Sequence, residues 1–221
     1  MKIIKQKQQL MCITMPRFFP INAYLILEDS FCTLIDCSKK GMGAKLIQAI
    51  QSTNLPLKHI ILTHAHSDHI GDVALIKKAF PQAQVMISAT EMKQLQAGTK
   101  GLTPLPLQPD ILLNENDRVG ALLVKETPGH TLGSISLIDT RNQHAFVGDL
   151  IQTAGGAAIA GDKRWLFPFP AYATMDQKLA IQSFKQLVTE PITAFYSGHG
   201  QALLGNQNET LEKMIARAEK K

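Results

Sequence analysis

The segment His64-Ala65-His66-Ser67-Asp68-His69 constrains this chain more than any other, and it follows at once on the apolar run Ile60-Ile61-Leu62. Seven histidines occur in 221 residues, and three of them fall within these six positions. The apolar run reads as a short buried strand and the histidine-rich stretch as the loop that leaves it. Residues i and i+2 at a strand end project to the same side, so His64 and His66 can grip one ion. Asp68 and His69 come where the chain turns and can face a neighbouring ion. Imidazole and carboxylate are the usual ligands of zinc and similar ions. The competing reading is a solvated polar loop with surface histidines, which leaves the concentration unexplained.

The surrounding pattern alternates strands and helices. Ala23–Leu27 and Phe31–Ile35 read as a hairpin through Glu28-Asp29-Ser30. Gly43, Leu46, Ile47 and Ile50 keep helical spacing, as do Val73, Ile76, Ala79 and Phe80. Gln84–Ile87 is a strand, and 98–109 is a Gly/Pro-rich crossing loop. A strand-rich second stretch holds 111–113, 121–125, 134–138 and 145–147. Thr174 with Gln177 forms a capping-box pattern that opens a helix through Leu187. Ala194–Tyr196 is a last short strand. Leu211, Met214, Ile215 and Ala218 give a terminal amphipathic helix. Two sheets packed together with helices outside is the expectation.

Length and composition bound the class. With 45% hydrophobic residues, a chain this long buries roughly 70% of its unfolded surface as one domain or two fused halves. The domain expectation is one unit over 1–221. Nothing approaches the roughly 20 apolar residues of a membrane span. Pro16, Arg17 and Pro20 break any signal-peptide core. Three cysteines (Cys12, Cys32, Cys37), an odd count, suit a reducing compartment, so a cytoplasmic location is expected. The formal charge of +5 invites a nucleic-acid reading, but Lys2, Lys5 and Lys7 alone supply +3 of it. Residues 1–10 therefore read as a flexible basic tail on a near-neutral body, without a nucleic-acid or membrane partner.

The segment Thr63–His69 resembles the metal-binding motif of the metallo-β-lactamase superfamily, and four further segments agree in order. Thr127-Pro128-Gly129-His130-Thr131-Leu132-Gly133-Ser134 looks like the second metal segment, Val147-Gly148-Asp149 like the third and Ser197-Gly198-His199-Gly200 like the fourth. Leu34-Ile35-Asp36 resembles the early strand-end Asp. The resemblance spans about residues 20–200. It implies an α+β fold, an αββα sandwich of two mixed sheets with helices on the outer faces. It also implies two zinc ions per chain, with iron or manganese as substitutes. His64, His66 and His130 would hold the first ion, and Asp68, His69 and His199 the second. Asp149 would bridge them. Thr63 and Asp36 are candidates for holding the ligand imidazoles in one tautomer. His59 and His144 match no segment and read as packing or surface residues. Cys37 is a candidate for the rim of the site.

The implied activity is a dinuclear hydrolase in which a metal-bridging hydroxide attacks a carboxylic ester, lactone or thioester, with Asp68 as the catalytic carboxylate. Departures narrow this. Most true zinc β-lactamases of the family lack an Asp at the position of Asp149. Glyoxalase II-like thioesterases carry a further C-terminal region, whereas only 22 residues follow His199, so a glutathione thioester is disfavoured. The chain is most similar to the compact lactonase-like and glyoxalase II-like hydrolases. A mononuclear iron persulfide dioxygenase-like enzyme and a phosphodiesterase or nuclease of the same fold are the alternatives. Gly161 to Pro170 carries Trp165, Phe167 and Phe169 and reads as a mobile apolar flap for a small-molecule acyl or aromatic substrate. Trp165, Phe167 and Tyr172 are its candidate substrate-binding residues. Packing of these aromatics on the core or on a partner subunit, as in a homodimer, is the competing reading.

Overall fold

The computed structural model describes residues 2–6, 10–15, 19–205 and 207–220. The chain divides into two compact units, Met1–Leu113 and Asn114–Lys221.

The N-terminal unit is one seven-stranded mixed sheet with helices in its crossovers. In chain order it contains β1 (Lys2–Gln6), β2 (Leu10–Met15), β3 (Ile21–Leu27), β4 (Cys32–Ile35), α1 (Gly43–Gln51) and β5 (Leu57–Ile61). It continues with α2 (Ser67–Ile70), α3 (Val73–Ala79), β6 (Gln84–Ser88), α4 (Ala89–Gln96) and β7 (Ile111–Leu113). The strands lie in sequence order; β1 to β4 pair antiparallel and β4 to β7 pair parallel. The expected hairpin closes with Glu28 N–H donating to Phe31 O at 2.9 Å. Parallel strands need crossovers, and α1, α3 and α4 supply them. α1 buries Gly43, Leu46, Ala49 and Ile50 and packs on α3. No residue of its own caps it; the Asp72 carboxylate accepts the Gly43 N–H instead. Its neighbours Leu34, Ile60, Val85 and Ile87 share one core cluster with it.

Two expectations are corrected in this unit. Within residues 1–10, expected as a loose tail, Lys2–Gln6 is the sheet's edge strand against Leu10–Met15; residues 1 and 7–9 lie outside the described ones. The run 111–113, grouped above with the second stretch of strands, is instead the last strand of the first sheet.

The C-terminal unit contains β8 (Arg118–Val119), β9 (Leu122–Glu126), β10 (Ile135–Asp139), β11 (His144–Phe146), β12 (Ile151–Gln152) and β13 (Ala158–Ile159). It continues with α5 (Phe169–Ala173), α6 (Gln177–Leu187), β14 (Ala194–Tyr196), β15 (Leu203–Leu204) and α7 (Asn208–Ala218). Its mixed six-stranded sheet runs in the order β15-β14-β11-β10-β9-β8, with β11 and β14 parallel, and β12 and β13 form a separate pair. Ala180, Phe184 and Leu187 of α6 and Met214 and Ala218 of α7 bury against Val147, Ile151 and Phe195. α6 starts as expected but not with the expected cap. Asp176 is its N-cap, accepting from Leu179 N–H at 2.9 Å, whereas Thr174 terminates α5. Among the described residues no helix is long and apolar enough to cross a membrane.

Candidate metal centre

In the N-terminal unit the site residues stand at the carboxyl ends of two adjacent parallel strands, where open α/β sheets place their ligands. The register pairs Ile35 with Ile61, so Asp36 leaves β4 beside the residues that leave β5. Asp36 N–H donates to Ile61 O at 2.9 Å, and Asp36 adopts φ 60°, a left-handed conformation that turns its side chain back over β5. Its Oδ1 accepts the Thr63 N–H and its Oδ2 the Thr63 hydroxyl, both at 2.8 Å. His69 Nδ1 lies 2.8 Å from the same Oδ2.

These bonds fix two tautomers. A carboxylate only accepts, so His69 donates from Nδ1 and presents the lone pair of Nε2. The Thr63 hydrogen goes to Asp36, so its oxygen accepts from His64 Nδ1 at 3.0 Å, and His64 also presents Nε2. The His64 ring lies 4.8 Å from that of His66 and 4.1 Å from that of His69, which gathers three imidazoles into one cluster. Asp68 sits in the first turn of α2 beside His69, where a negative side chain suits a helix start.

Sequence reasoning overlooked Glu91 in this unit. Fully buried on α4, it accepts the Ala65 N–H at 2.8 Å and so ties down the backbone between His64 and His66. The signal was present: Ser88-Ala89-Thr90-Glu91 has the capping-box spacing, and Ser88 Oγ does accept the Glu91 N–H. Cys37, expected at the rim, is instead buried in the core cluster, and burial pushes its thiol well above the usual range. Its N–H donates to His69 O at 2.6 Å.

The C-terminal unit uses its own parallel pair. Phe146 of β11 pairs with Tyr196 of β14, and three residues beyond each come Asp149 and His199. The Gly198 N–H donates to Gly148 O at 2.7 Å, which keeps the two loops in step. Asp149 Oδ2 lies 3.1 Å from His199 Nε2 and 3.4 Å from His130 Nε2, and all three side chains are buried. His130 arrives from the loop after β9, held by Met175 N–H to His130 O at 3.0 Å, from the link between α5 and α6, and by Ser183 Oγ of α6 to Pro128 O at 2.7 Å. Gly129 in that loop has φ 137°, and a Cβ there would collide with the Ala180 backbone. The displaced cap Thr174 has another task. Its hydroxyl donates to Pro170 O at 2.7 Å, so its oxygen accepts from His130 Nδ1 at 3.1 Å, and His130 too presents Nε2.

The donor set fits divalent metal ions. Buried imidazoles with Nε2 lone pairs around a carboxylate are a zinc-type set. Two donors each about 2.1 Å from a tetrahedral ion stand roughly 3.4 Å apart; Asp149 Oδ2 keeps 3.4 Å from His130 Nε2 and a shorter 3.1 Å from His199 Nε2.

Of the three candidate substrate residues, Phe167 is buried with its ring 5.3 Å from that of His199, whereas Trp165 and Tyr172 are exposed. The segment is not the loose flap expected. Gln152 Nε2 donates to Phe167 O at 2.9 Å, and Arg217 of α7 donates from Nε to the buried Asp162 carboxylate at 2.6 Å.

A family model described as the metallo-beta-lactamase superfamily matches residues 16–199. The chain therefore belongs to the metallo-β-lactamase superfamily of metallo-hydrolases. It is 39% identical to the uncharacterized protein YobT of Bacillus subtilis (strain 168), over 93% of each chain. It is 32% identical to the hydroxyacylglutathione hydrolase of Bdellovibrio bacteriovorus over 60% of this chain, and it spans only half of that enzyme's length. Among solved structures, TTHA1623 in a di-iron-bound form is 27% identical, with a TM-score of 0.65 over 87% of this chain and 93% of that one. The FIM-1 metallo-β-lactamase from Pseudomonas aeruginosa, solved in a mono-zinc form, shares the fold with a TM-score of 0.74 at 22% identity, over 99% of this chain and 95% of that one.

Proposed function

We propose that the protein is a cytoplasmic dinuclear zinc hydrolase that cleaves a carboxylic ester, lactone or thioester. The observation that carries this reading is the common presentation of Nε2 by His64, His69 and His130, each locked through Nδ1 by a threonine or aspartate. In this reading His64, His66 and His130 would hold one ion and Asp68, His69 and His199 the other, with Asp149 between them. When bound, such a pair supplies Lewis acidity toward a carbonyl oxygen and a water acidified toward a pKa of about 7. Asp68 orients the attacking water and takes up its proton. The water oxygen bonds to the carbonyl carbon, the C–O or C–S bond breaks, and Asp68 returns the proton to the leaving atom. Asp36, Thr63 and Thr174 hold the imidazoles still through the cycle. The free thiols of Cys32 and Cys37 support a reducing location.

Metal analysis of the full chain purified without chelator should give close to two ions, mostly zinc. A panel of lactones, thioesters, aryl esters and phosphodiesters should then show turnover of carboxyl substrates. One ion per chain, or iron with oxygen consumption and no hydrolysis, overturns the proposal. Iron in place of zinc is the second reading, favoured by the di-iron form of TTHA1623.

A further inference from the structure

Thr63 and Ala65 flank His64, and the N–H of each goes to a buried carboxylate from a different element. Thr63 N–H donates to Asp36 at the end of β4, and Ala65 N–H to Glu91 of α4, both at 2.8 Å. The Ala65 carbonyl is taken as well, by Thr103 N–H at 2.8 Å from the loop between α4 and β7. The Ala65 methyl is fully buried in the core cluster of this unit. The single residue between His64 and His66 is therefore held at its N–H, its carbonyl and its side chain.

Glu91 is the unexpected member of this set. Glutamate is almost never fully buried unless it is paired, and Glu91 has no exposed surface. The rest of α4 touches the core only through the half-buried Met92 and Leu95. In a capping box the carboxylate reaches back to its own N-cap backbone. Oε1 of Glu91 instead binds a residue 26 positions away. A neutral amide could satisfy one N–H without burying a charge. A carboxylate makes the shorter and stronger bond, which suits a peptide that must not turn.

We propose that Glu91 is a positioning residue of the metal motif, fixing the peptide between His64 and His66 so that the two imidazoles keep one bite on an ion. The inference rests on the proposed metal centre, and not on the reaction performed there. Asp36 holds a candidate ligand directly, through His69 Nδ1. Glu91 works through the backbone, from the side of β5 where β6 and α4 lie.

The test uses the metal-stripped full chain and zinc alone, in a chelator competition. Glu91→Ala should weaken one ion about tenfold and leave any second ion within about threefold. Glu91→Gln keeps an oxygen for Ala65 and should fall between Glu91→Ala and the wild type. Leu95→Ala loosens α4 on the core without touching the carboxylate. It should lower the melting temperature and leave zinc affinity unchanged. Without metal, the Ala65 N–H should exchange with deuterium at least about tenfold faster in Glu91→Ala, the effect of one lost hydrogen bond. In Leu95→Ala it should exchange at the wild-type rate.

Unchanged zinc affinity in Glu91→Ala overturns the proposal and leaves the carboxylate a part of the scaffold alone. An equal loss of affinity in Leu95→Ala overturns it too, by tracing the effect to the seating of α4. A loss in Glu91→Gln as large as in Glu91→Ala, with Ala65 still slow to exchange, makes Glu91 a ligand and also overturns it. Zinc weakened as expected in a protein that hydrolyses no carboxyl substrate spares the positioning role and sinks the hydrolase. Hydrolysis with zinc affinity untouched by Glu91→Ala does the reverse. A wild-type chain that takes up no zinc ends both.

Discussion

The two units build the same device from very different stretches of sequence. Each uses the carboxyl ends of two adjacent parallel strands, β4 with β5 and β11 with β14, and each turns backbone register into side-chain convergence. In the N-terminal unit His64, His66, Asp68 and His69 are neighbours along the chain, and Asp36 arrives across the sheet only to hold them. In the C-terminal unit His130, Asp149 and His199 come from three separate loops, and a carboxylate between two imidazoles is the feature that unites them. Local density makes the first cluster tolerant of changes in topology. The second cluster exists only when β11 and β14 are paired.

The sharpest way to break this comparison is to remove the uniting carboxylate. Asp149→Ala should lower kcat/KM at least about a thousandfold and cost one bound ion per chain, read by metal analysis beside the kinetics. Retention of two ions and full activity would show that the C-terminal histidines do not act around Asp149. Asp36→Asn tests the other unit more gently. Whichever way it turns, its NH2 faces a donor, either the Thr63 N–H or the His69 Nδ1–H with the Thr63 hydroxyl, so zinc affinity should fall about 10- to 100-fold in a chelator competition. The far-ultraviolet circular dichroism should be little changed.

How much was legible follows the same divide. The motif 64–69, the hairpin before it and the helices α1 and α3 could be read because their signals are local: spacing, apolar period and turn residues. Register was not legible. Nothing in Ile111-Leu112-Leu113 says which sheet it joins, because a three-residue apolar run carries no partner information. Helix α4 escaped because its sequence is polar and only Glu91 of it is buried. Thr174 was read as a helix cap because Thr-x-x-Gln is a real capping pattern, but Asp176 two residues later takes that position and frees Thr174 for His130. Two caps competing within three residues are settled by packing, which a local pattern does not contain.

That correction supplies the next prediction. Thr174→Val keeps the shape and removes the acceptor on His130 Nδ1. Two neutral hydrogen bonds are lost, of which only the one to His130 Nδ1 touches a candidate ligand and the other is to Pro170 O, against bonds to a charged carboxylate disturbed at Asp36. Zinc affinity should drop by about tenfold or less, and Thr174→Ser should restore it. Equal losses at Thr174 and Asp36 would mean that the two units do not differ in how firmly their imidazoles are held.

The smallest effect at neutral pH sharpens the contrast within β5 itself, whose body carries His59 and whose exit carries His64. His59 packs edge-on against Phe31, and its Nδ1 lies 3.2 Å from Thr33 Oγ1. Burial, and then the charge of Lys58, holds it down to about 4 from an ordinary 6.5. The unfolded chain therefore takes up a proton between pH 6.5 and 4 that the folded chain refuses, so this group's contribution to stability is complete above 6.5 and lost as pH falls toward 4. Over that window the loss is about 1–3 kcal/mol. Thermal melts of the metal-stripped protein from pH 7.5 to 4 should show it, and His59→Phe should flatten the slope in that range. An unchanged slope in the variant would assign the acid sensitivity to the candidate ligand histidines at the strand's exit instead of the histidine in its body.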